Sequence, residues 1–254
     1  MAGASYGRSA SPVKNSLFSR GAAATVWGKH EPTNNTSMQI HHISEKNSVL
    51  NHFLGQIRNI AVQQDRMRFR RNIERIGEIM AYEISQQLDY KSIAIQTPLG
   101  IKETTEIADP IVICSILRAG LTLHQGFLNY FDQAENGFIS AKREHSNEND
   151  AFEIKVEYQA LGNYDNSTLI LVDPMLATGQ SIVAVFNKLM AKGTPTEIHI
   201  AVIIAAPEGI AHLEEQLPDH CHLWVAVIDE KLDEHGYIVP GLGDAGDLAY
   251  GNKL

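Results

Sequence analysis

The sequence has 254 residues, of which 44% are hydrophobic, and a formal net charge of −9 at pH 7. A chain of this size can bury one substantial core, and no stretch approaches the roughly eighteen uninterrupted apolar residues of a membrane-spanning helix. The acidic balance argues against nucleic-acid binding as the main task, because neutralising phosphates requires clustered Lys and Arg. We therefore expect an α/β protein with neither a nucleic acid nor a membrane as its partner.

The first 37 residues differ in composition from the remainder. Ala, Ser, Gly and Asn dominate them, and no acidic residue precedes Glu31. A segment without an apolar face is expected to be disordered. It is interpreted either as a leader or non-native extension, or as an acid-poor transit peptide of an organelle. We predict one domain over residues 38–254 in a cytoplasmic protein, or in an organellar one if the leader is a transit peptide.

Two helices are predicted first in the chain, at Ser48–Val62 and Arg66–Leu88, because apolar residues recur there at helical spacing. The arginine-rich run over residues 66–71 could bind an anion, although a solvated basic helix face is the simpler interpretation.

Strands and helices then alternate along the chain. Strands are predicted at Ser92–Thr97, Pro110–Ser115, Gly137–Ala141, Phe152–Tyr158, Leu169–Val172, Ile198–Ala205 and Leu223–Ile228, and helices at Leu121–Phe131, Ser181–Ala191 and Glu208–Gln216. The polar segment Lys142–Asp150 has no periodicity and predicts a mobile loop. This alternation predicts a mostly parallel sheet flanked by helices on both faces.

The segment that follows Leu169–Val172 has the composition of a phosphate-binding loop. Asp173 stands at the predicted carboxyl end of a strand, where it could accept hydrogen bonds from sugar hydroxyls. Thr178, Gly179 and Ser181 are the small polar residues expected where free backbone N–H groups open a helix. The loop lacks the Lys of a Walker motif and does not fit the dinucleotide fingerprint. An ordinary turn, with Asp173 and Ser181 as turn former and cap, is the structural alternative.

A second motif, Tyr237–Asp247, lies near the end of the sequence. Its portion over residues 241–246 fits the pattern G-x-G-x-x-G, but a dinucleotide site needs a further helix, a strand and an acid about twenty residues on. The sequence given ends at Leu254. Glycines and Ala245 would instead let the bare backbone approach a flat ligand, with a frayed tail as the plain alternative.

These two motifs resemble the two ligand loops of uracil phosphoribosyltransferases, and the resemblance extends from about Met38 to the end. It implies a type I phosphoribosyltransferase-like fold with an N-terminal helical arm and a C-terminal base-binding loop. The implied reaction converts uracil and 5-phospho-α-D-ribose 1-diphosphate (PRPP) to UMP and diphosphate in pyrimidine salvage. It also implies Mg2+ as cofactor, held mainly by PRPP with no metal ligand from the protein, and a homodimer or higher homo-oligomer.

Residue roles follow from the resemblance, position by position. Asp173, Arg118 and Asp244 are the implied catalytic residues. The implied PRPP-binding residues are Arg118, Arg143, Asp173, Pro174, Met175, Leu176, Ala177, Thr178, Gly179, Gln180, Ser181 and Asp244. The implied uracil-binding residues are Ile238, Gly243, Asp244 and Ala245. For Arg118, which lies in the family's LRAG element, and for Arg143, a surface salt bridge is the alternative.

Two positions depart from the family pattern and put activity in question. Gln180 replaces a glycine, which could crowd the helix entrance or require an unfavourable φ, and Leu248 stands where the family usually has Arg or Lys. A regulatory RNA-binding relative, or a salvage enzyme for another base, would share the fold, and fold alone does not separate them.

The two cysteines indicate a reducing compartment and no structural metal. Cys114 and Cys221 form neither a C-x-x-C nor a zinc spacing. His220, Cys221 and His222 cannot converge on one ion, because neighbouring side chains of a strand face opposite ways.

Overall fold

The computed structural model describes residues 37–145 and 152–253, which form strands and helices in alternation. The strands are β1 (Gln39–His42), β2 (Tyr90–Thr97), β3 (Gly100–Ile107), β4 (Ile111–Leu117), β5 (Glu135–His145), β6 (Phe152–Ala160), β7 (Thr168–Val172), β8 (Met175–Leu176), β9 (Glu197–Ala205), β10 (Cys221–Ile228), β11 (Lys231–Leu232) and β12 (Ile238–Val239). The helices are α1 (Val49–Arg58), α2 (Ile60–Gln63), α3 (Arg66–Ser85), α4 (Gly120–Leu128), α5 (Gln180–Met190), α6 (Pro207–Gln216) and α7 (Ala245–Tyr250).

One eight-stranded sheet organises the fold. Its order is β1-β10-β9-β7-β4-β5-β6, with β8 paired to β9. Every pair is parallel except β5 with β6. Strand β7, buried along its whole length, lies between β9 and β4, which explains its continuous aliphatic sequence. The predicted mostly parallel sheet is confirmed.

Helices cover both faces of the sheet, and the two-residue period of the strands divides the core into two halves. Ile170 and Val172 of β7 belong to the cluster that also holds buried residues of α1, α3 and α4. Leu169 and Leu171 belong to the cluster that holds α5 and α6. Adjacent strand residues face opposite sides of a sheet, so β7 serves both layers at once.

Three of the differences from the predicted elements lie before β4 in the chain. The predicted first helix is divided into α1 and α2 at Asn59, whose side chain caps α2. Strand β3, which pairs antiparallel with β2, was not predicted. Its residues are mostly polar and exposed, so its sequence lacks the alternation of apolar and polar residues that marks a half-buried strand. Edge strand β1 was also missed, and it is only four residues long.

The predicted mobile loop at Lys142–Asp150 is wrong in its first part. Residues 142–145 continue β5 and pair with β6 in regular register. The strand continues because its partner β6 supplies backbone hydrogen bonds, which a polar sequence does not prevent. Residues 146–151 lie outside the described residues, as do residues 1–36, on which the expected disordered leader falls.

Within residues 37–145 and 152–253 no helix is long and apolar enough to cross a membrane. Both cysteines are unpaired and buried, and burial raises the pKa of each thiol to about 12. They are therefore neutral residues of the core.

Candidate active site

A pocket of about 770 Å3 lies where several strands of the sheet end, and three of the segments that line it contain sequence-predicted residues. The first is the turn between β4 and α4, the second the turn between β7 and α5, and the third the chain from β12 into α7. The sequence-predicted residues that line it are Arg118, Asp173, Met175, Leu176, Ala177, Thr178, Gly179, Ser181, Ile238, Gly243, Asp244 and Ala245. Residues from both motifs therefore share one cavity with Arg118, which lies in the turn between β4 and α4.

The turn from β7 into α5 depends on a single left-handed residue. Gly179, the N-cap of α5, has φ +78°, a conformation that side chains disfavour. A Cβ on Gly179 would also lie 3.1 Å from the carbonyl oxygen of Gly209. The turn lets α5 begin at the pocket, and the first turn of a helix has unpaired N–H groups suited to a phosphate.

Gln180 avoids the conformational problem expected for it. It is the first residue of α5, it is absent from the residues with positive φ, and its side chain is exposed. The left-handed φ falls on Gly179 instead, so Gln180 fits this turn without backbone strain.

Two residues of the predicted PRPP set, Pro174 and Gln180, do not line the pocket, and the structure does not describe the side chain of a third. Gln180 faces solvent, and Pro174 is buried, with its carbonyl accepting hydrogen bonds from the N–H groups of Ile203 and Ile204. Arg143 belongs to β5, and its side chain lies outside the described part of the structure.

Asp173 occupies a poorly hydrated position in the pocket wall. Burial is the main cause that raises the pKa of its carboxyl group to about 7, and the nearby Asp244 carboxylate adds to the rise. The N–H of Met175 donates to Asp173 Oδ1 at 3.3 Å and acts in the opposite direction. A carboxyl group in such surroundings gains from a ligand that donates hydrogen bonds to it.

Arg118 is paired within the site. Its Nη2 donates to Asp247 Oδ1 at 2.7 Å and its Nη1 to the Gly251 carbonyl at 3.2 Å. Its Nε is buried without a hydrogen-bond partner among the described residues. A buried donor left unpaired costs free energy, so an anionic ligand beside Arg118 would satisfy it.

Asp244 begins helix α7 and faces the pocket. Its Oδ1 accepts a hydrogen bond from the N–H of Asp247 at 2.9 Å as an N-cap. Its Oδ2 lies 3.5 Å from Nζ of Lys253. Helix α7 therefore begins within the second motif, residues 237–247 (the glycine motif), where the sequence suggested only a loop.

The glycine motif presents bare backbone to the pocket. Gly243 has φ +93°, and a Cβ built on it meets nothing within 4 Å. The residue is therefore glycine for its conformation, and the space beside it is open. Ile238 and Ala245 also line the pocket and are mostly buried, so they add apolar surface to it, a composition that suits a flat ring.

Several lining residues were not predicted from the sequence. Lys253 supplies a cation at the pocket, and His235 and Gly236 bring the turn between β11 and β12 to it, next to Tyr237 of the second motif. No spacing signals these positions, because they reach the pocket through tertiary structure. Leu248, a departure from the family pattern, packs against the hydrophobic core.

This arrangement is that of α/β proteins which bind phosphorylated ligands where parallel strands end and helices begin. Residues 43–252 match the family described as uracil phosphoribosyltransferase. The chain belongs to this family, which consists of glycosyltransferases of pyrimidine salvage, and the prediction from the two motifs is confirmed.

Individual relatives agree with this assignment. The chain is 48% identical to the uracil phosphoribosyltransferase of Porphyromonas gingivalis, over 85% of this chain and 100% of the relative. It is 36% identical to that of Pyrococcus furiosus, over 75% and 82%. Among solved structures, the AQ2163 protein from Aquifex aeolicus is similar with a TM-score of 0.75 and 28% identity, over 84% of this chain and 98% of that one.

Proposed function

We propose that this chain transfers the phosphoribosyl group of PRPP to uracil in the pocket described above, giving UMP and diphosphate. The bond from the sugar C1 to diphosphate breaks with its electron pair leaving on oxygen. A ring nitrogen of uracil then bonds to C1 and releases its proton. The observation that carries the proposal is that the turn over residues 173–181 (the phosphate loop), Arg118 and the glycine motif all line one cavity.

The phosphate loop would bind the ribose 5-phosphate. Thr178, Gly179 and Ser181 line the pocket where α5 begins, and helix N-termini favour anions. Asp173 would accept hydrogen bonds from the ribose hydroxyls, which would supply partners to its buried carboxyl group.

Arg118 and Asp244 would flank the reacting part of PRPP. A guanidinium can contact phosphate oxygens in a bidentate manner, and Arg118 has a buried Nε that lacks a partner among the described residues. Little covalent work is needed from side chains, since positioning and charge stabilisation lower the barrier of such a transfer. Arg143 is proposed as a further PRPP contact on the basis of the resemblance alone.

The pocket is compatible with Mg2+. As the resemblance implies, PRPP itself would hold the ion through its phosphate oxygens, and the carboxylates of Asp173 and Asp244 in the pocket would add favourable negative charge without being its ligands. Among the described residues no group of three or more metal-binding side chains forms a separate site. When bound with PRPP, the ion would neutralise charge on the departing diphosphate.

Uracil would be read by backbone groups of the glycine motif. Its ring presents an N–H donor flanked by two carbonyl acceptors, a pattern that fixed C=O and N–H groups can match. Ile238, Gly243, Asp244 and Ala245 are the proposed contacts. We also place the protein in the cytoplasm and expect a homo-oligomer, two proposals based on the family resemblance.

The direct test measures UMP formed from uracil and PRPP in the presence of Mg2+. Formation of UMP that requires both substrates is the expected result. No UMP, together with binding of bulk RNA at low salt, would favour a regulatory relative and contradict the proposal.

A further inference from the structure

We propose that Arg58 and Asp229 are positioning residues for base recognition: they fix the glycine motif from outside the pocket, and Gln63 assists them. Neither Arg58 nor Asp229 lines the cavity. The inference rests on the proposed function for the role of the motif, but the physical attachment is independent of it.

The attachment begins with a two-point ion pair. Arg58, the last residue of α1, donates from Nη1 to Asp229 Oδ2 at 2.8 Å and from Nη2 to Asp229 Oδ1 at 2.6 Å. The side chain of Asp229 is only 5% exposed and that of Arg58 22%. Bidentate geometry fixes both orientation and distance, which a single contact does not.

Both members of the pair also bind the backbone of Gly241. Arg58 Nη1 donates to the Gly241 carbonyl at 3.0 Å, and the Gly241 N–H donates to Asp229 Oδ2 at 2.9 Å. Gly241 has φ +57°, and a Cβ there would approach the Ile238 carbonyl to 2.1 Å. Both the N–H and the carbonyl of Gly241 are therefore hydrogen-bonded to the ion pair.

Gln63 fixes the next residue. Its side chain is buried, and Nε2 donates to the carbonyls of Ile57 and Leu242, at 3.1 and 3.0 Å. The amide thereby joins the end of α1 to the position immediately before Gly243, where the exposed backbone of the pocket begins.

Asp229 connects this arrangement to the sheet. It directly follows β10, and its N–H donates to the carbonyl of Ala205 at the end of β9 at 2.8 Å. The sheet therefore sets the position of Asp229, which in turn sets the position of Gly241. Backbone groups discriminate between bases only if their positions are fixed, because a mobile donor can adapt to either pattern.

The test compares Arg58→Met with Arg71→Met. Both variants remove a guanidinium and keep much of the stem, but Arg71 is half exposed and pairs with Glu74 on α3. We expect Arg58→Met to raise KM for uracil at least tenfold, to change KM for PRPP less than threefold, and to reduce the preference for uracil over cytosine. Arg58→Lys should recover part of this loss, because one ammonium can pair with Asp229 without also reaching Gly241.

Equal changes in KM for both substrates, or unchanged base preference, would overturn the inference. If Arg58→Met does not fold, Gln63→Met provides the same comparison without removing a charge, and the same split between the two KM values is required of it.

Hydrogen exchange of the amides of residues 241–244 separates this inference from the proposed function. Faster exchange in Arg58→Met than in Arg71→Met would support the attachment even if the wild-type protein formed no UMP, which would count only against the function. Identical exchange in both variants would refute the attachment even in an active enzyme.

Discussion

At the scale of single residues, Asp173 is suited to bind a ligand but poorly solvated in the ligand-free protein. Its carboxyl group lies in the pocket that the proposed substrate would occupy, and burial raises its pKa to about 7. In the ligand-free protein the charged form is therefore less favourable than it would be in water, whereas a bound sugar would supply hydrogen-bond donors to it. Residues arranged for a ligand often reduce the stability of the free protein.

We expect Asp173→Asn to lower kcat/KM at least tenfold, because loss of one charge-assisted hydrogen bond is worth roughly 1.5–3 kcal/mol. Steady-state kinetics with uracil and PRPP measure this, with the exposed surface variant Asp219→Asn as control. Unchanged kinetics and unchanged PRPP affinity would contradict the role assigned to Asp173.

The same substitution should alter stability in a pH-dependent manner. The pKa of Asp173 is raised from 3.8 to about 7 in the folded state, so between those values the folded protein binds more protons than the unfolded chain. Stability of the wild type then falls as pH rises through this window. Asp173→Asn removes the penalty, and its gain in Tm should be larger at pH 8 than at pH 5. Thermal melts of the two proteins at both pH values decide the matter.

Base discrimination is a further property of individual groups, here the backbone of residues 243–245. We expect uracil to be preferred to cytosine by about 10⁴-fold, since cytosine would leave buried polar groups unpaired. Competition of the two bases for limiting PRPP with Mg2+ present measures the ratio. Comparable formation of UMP and CMP would show that this backbone does not read the base.

At the scale of elements, helix α6 supports the phosphate loop from behind. A Cβ on Gly209, in the first turn of α6, would lie 2.2 Å from the Ala177 carbonyl oxygen. The close approach of helix and loop thus depends on this glycine. Gly55, in α1, has nothing within 4 Å of a built Cβ.

Gly209→Ala and Gly55→Ala should therefore have opposite effects. The first must displace the loop, and we expect a lower Tm together with a higher KM for PRPP. The second removes helix-interior flexibility without a clash and should stabilise by about 0.5–1 kcal/mol, or roughly 1–4 °C in Tm. Calorimetry of both variants beside the wild type is the measurement, and a lower Tm for Gly55→Ala would contradict the helix argument.

The elements that could be predicted from the sequence are those whose hydrophobic pattern directly reflects which of their faces is buried. Strand β7 is an aliphatic run because both its faces are buried, and α3 shows helical spacing because one side packs in the core. Strand β3 was not predictable in this way, since its residues are exposed and its pairing with β2 is a backbone interaction.

The residues of the candidate site also fall into two groups, those that a local turn requires and those that only tertiary contacts bring together. Asp173, Gly179 and Gly243 were found because a local turn needs particular residue types, and such needs appear as motifs. Arg58, Asp229 and Lys253 were not found, since their contacts with Gly241 and Asp244 are made in the tertiary structure and no sequence pattern marks them.

At the scale of the whole molecule, residues 37–253 include the family's matched region and the folded core. Met38 is already part of that core, at 3% exposure, and the family match begins at Ile43. We therefore propose residues 38–254 as the domain, as expected from the sequence.

We expect a protein that starts at Met38 to keep its activity and its Tm. Uracil assays and thermal melts of the full-length and shortened proteins provide the comparison. A fall in Tm above about 5 °C would mean that more than roughly 1 kcal/mol of stability came from the removed segment.

Because the strands of the sheet are mostly parallel, its two ends differ: strands begin at one end, and the pocket lies at the other, where they finish. Strand β1 runs parallel to β10 at the sheet's outer edge, so the chain enters it on the side opposite the strand ends that form the pocket, whereas Lys253 lines the pocket itself. A fluorescent protein or a bead joined ahead of Met38 would leave substrate access free. The same cargo joined beyond Lys253 would stand at the entrance, so the choice of fusion end decides whether an immobilised preparation turns over.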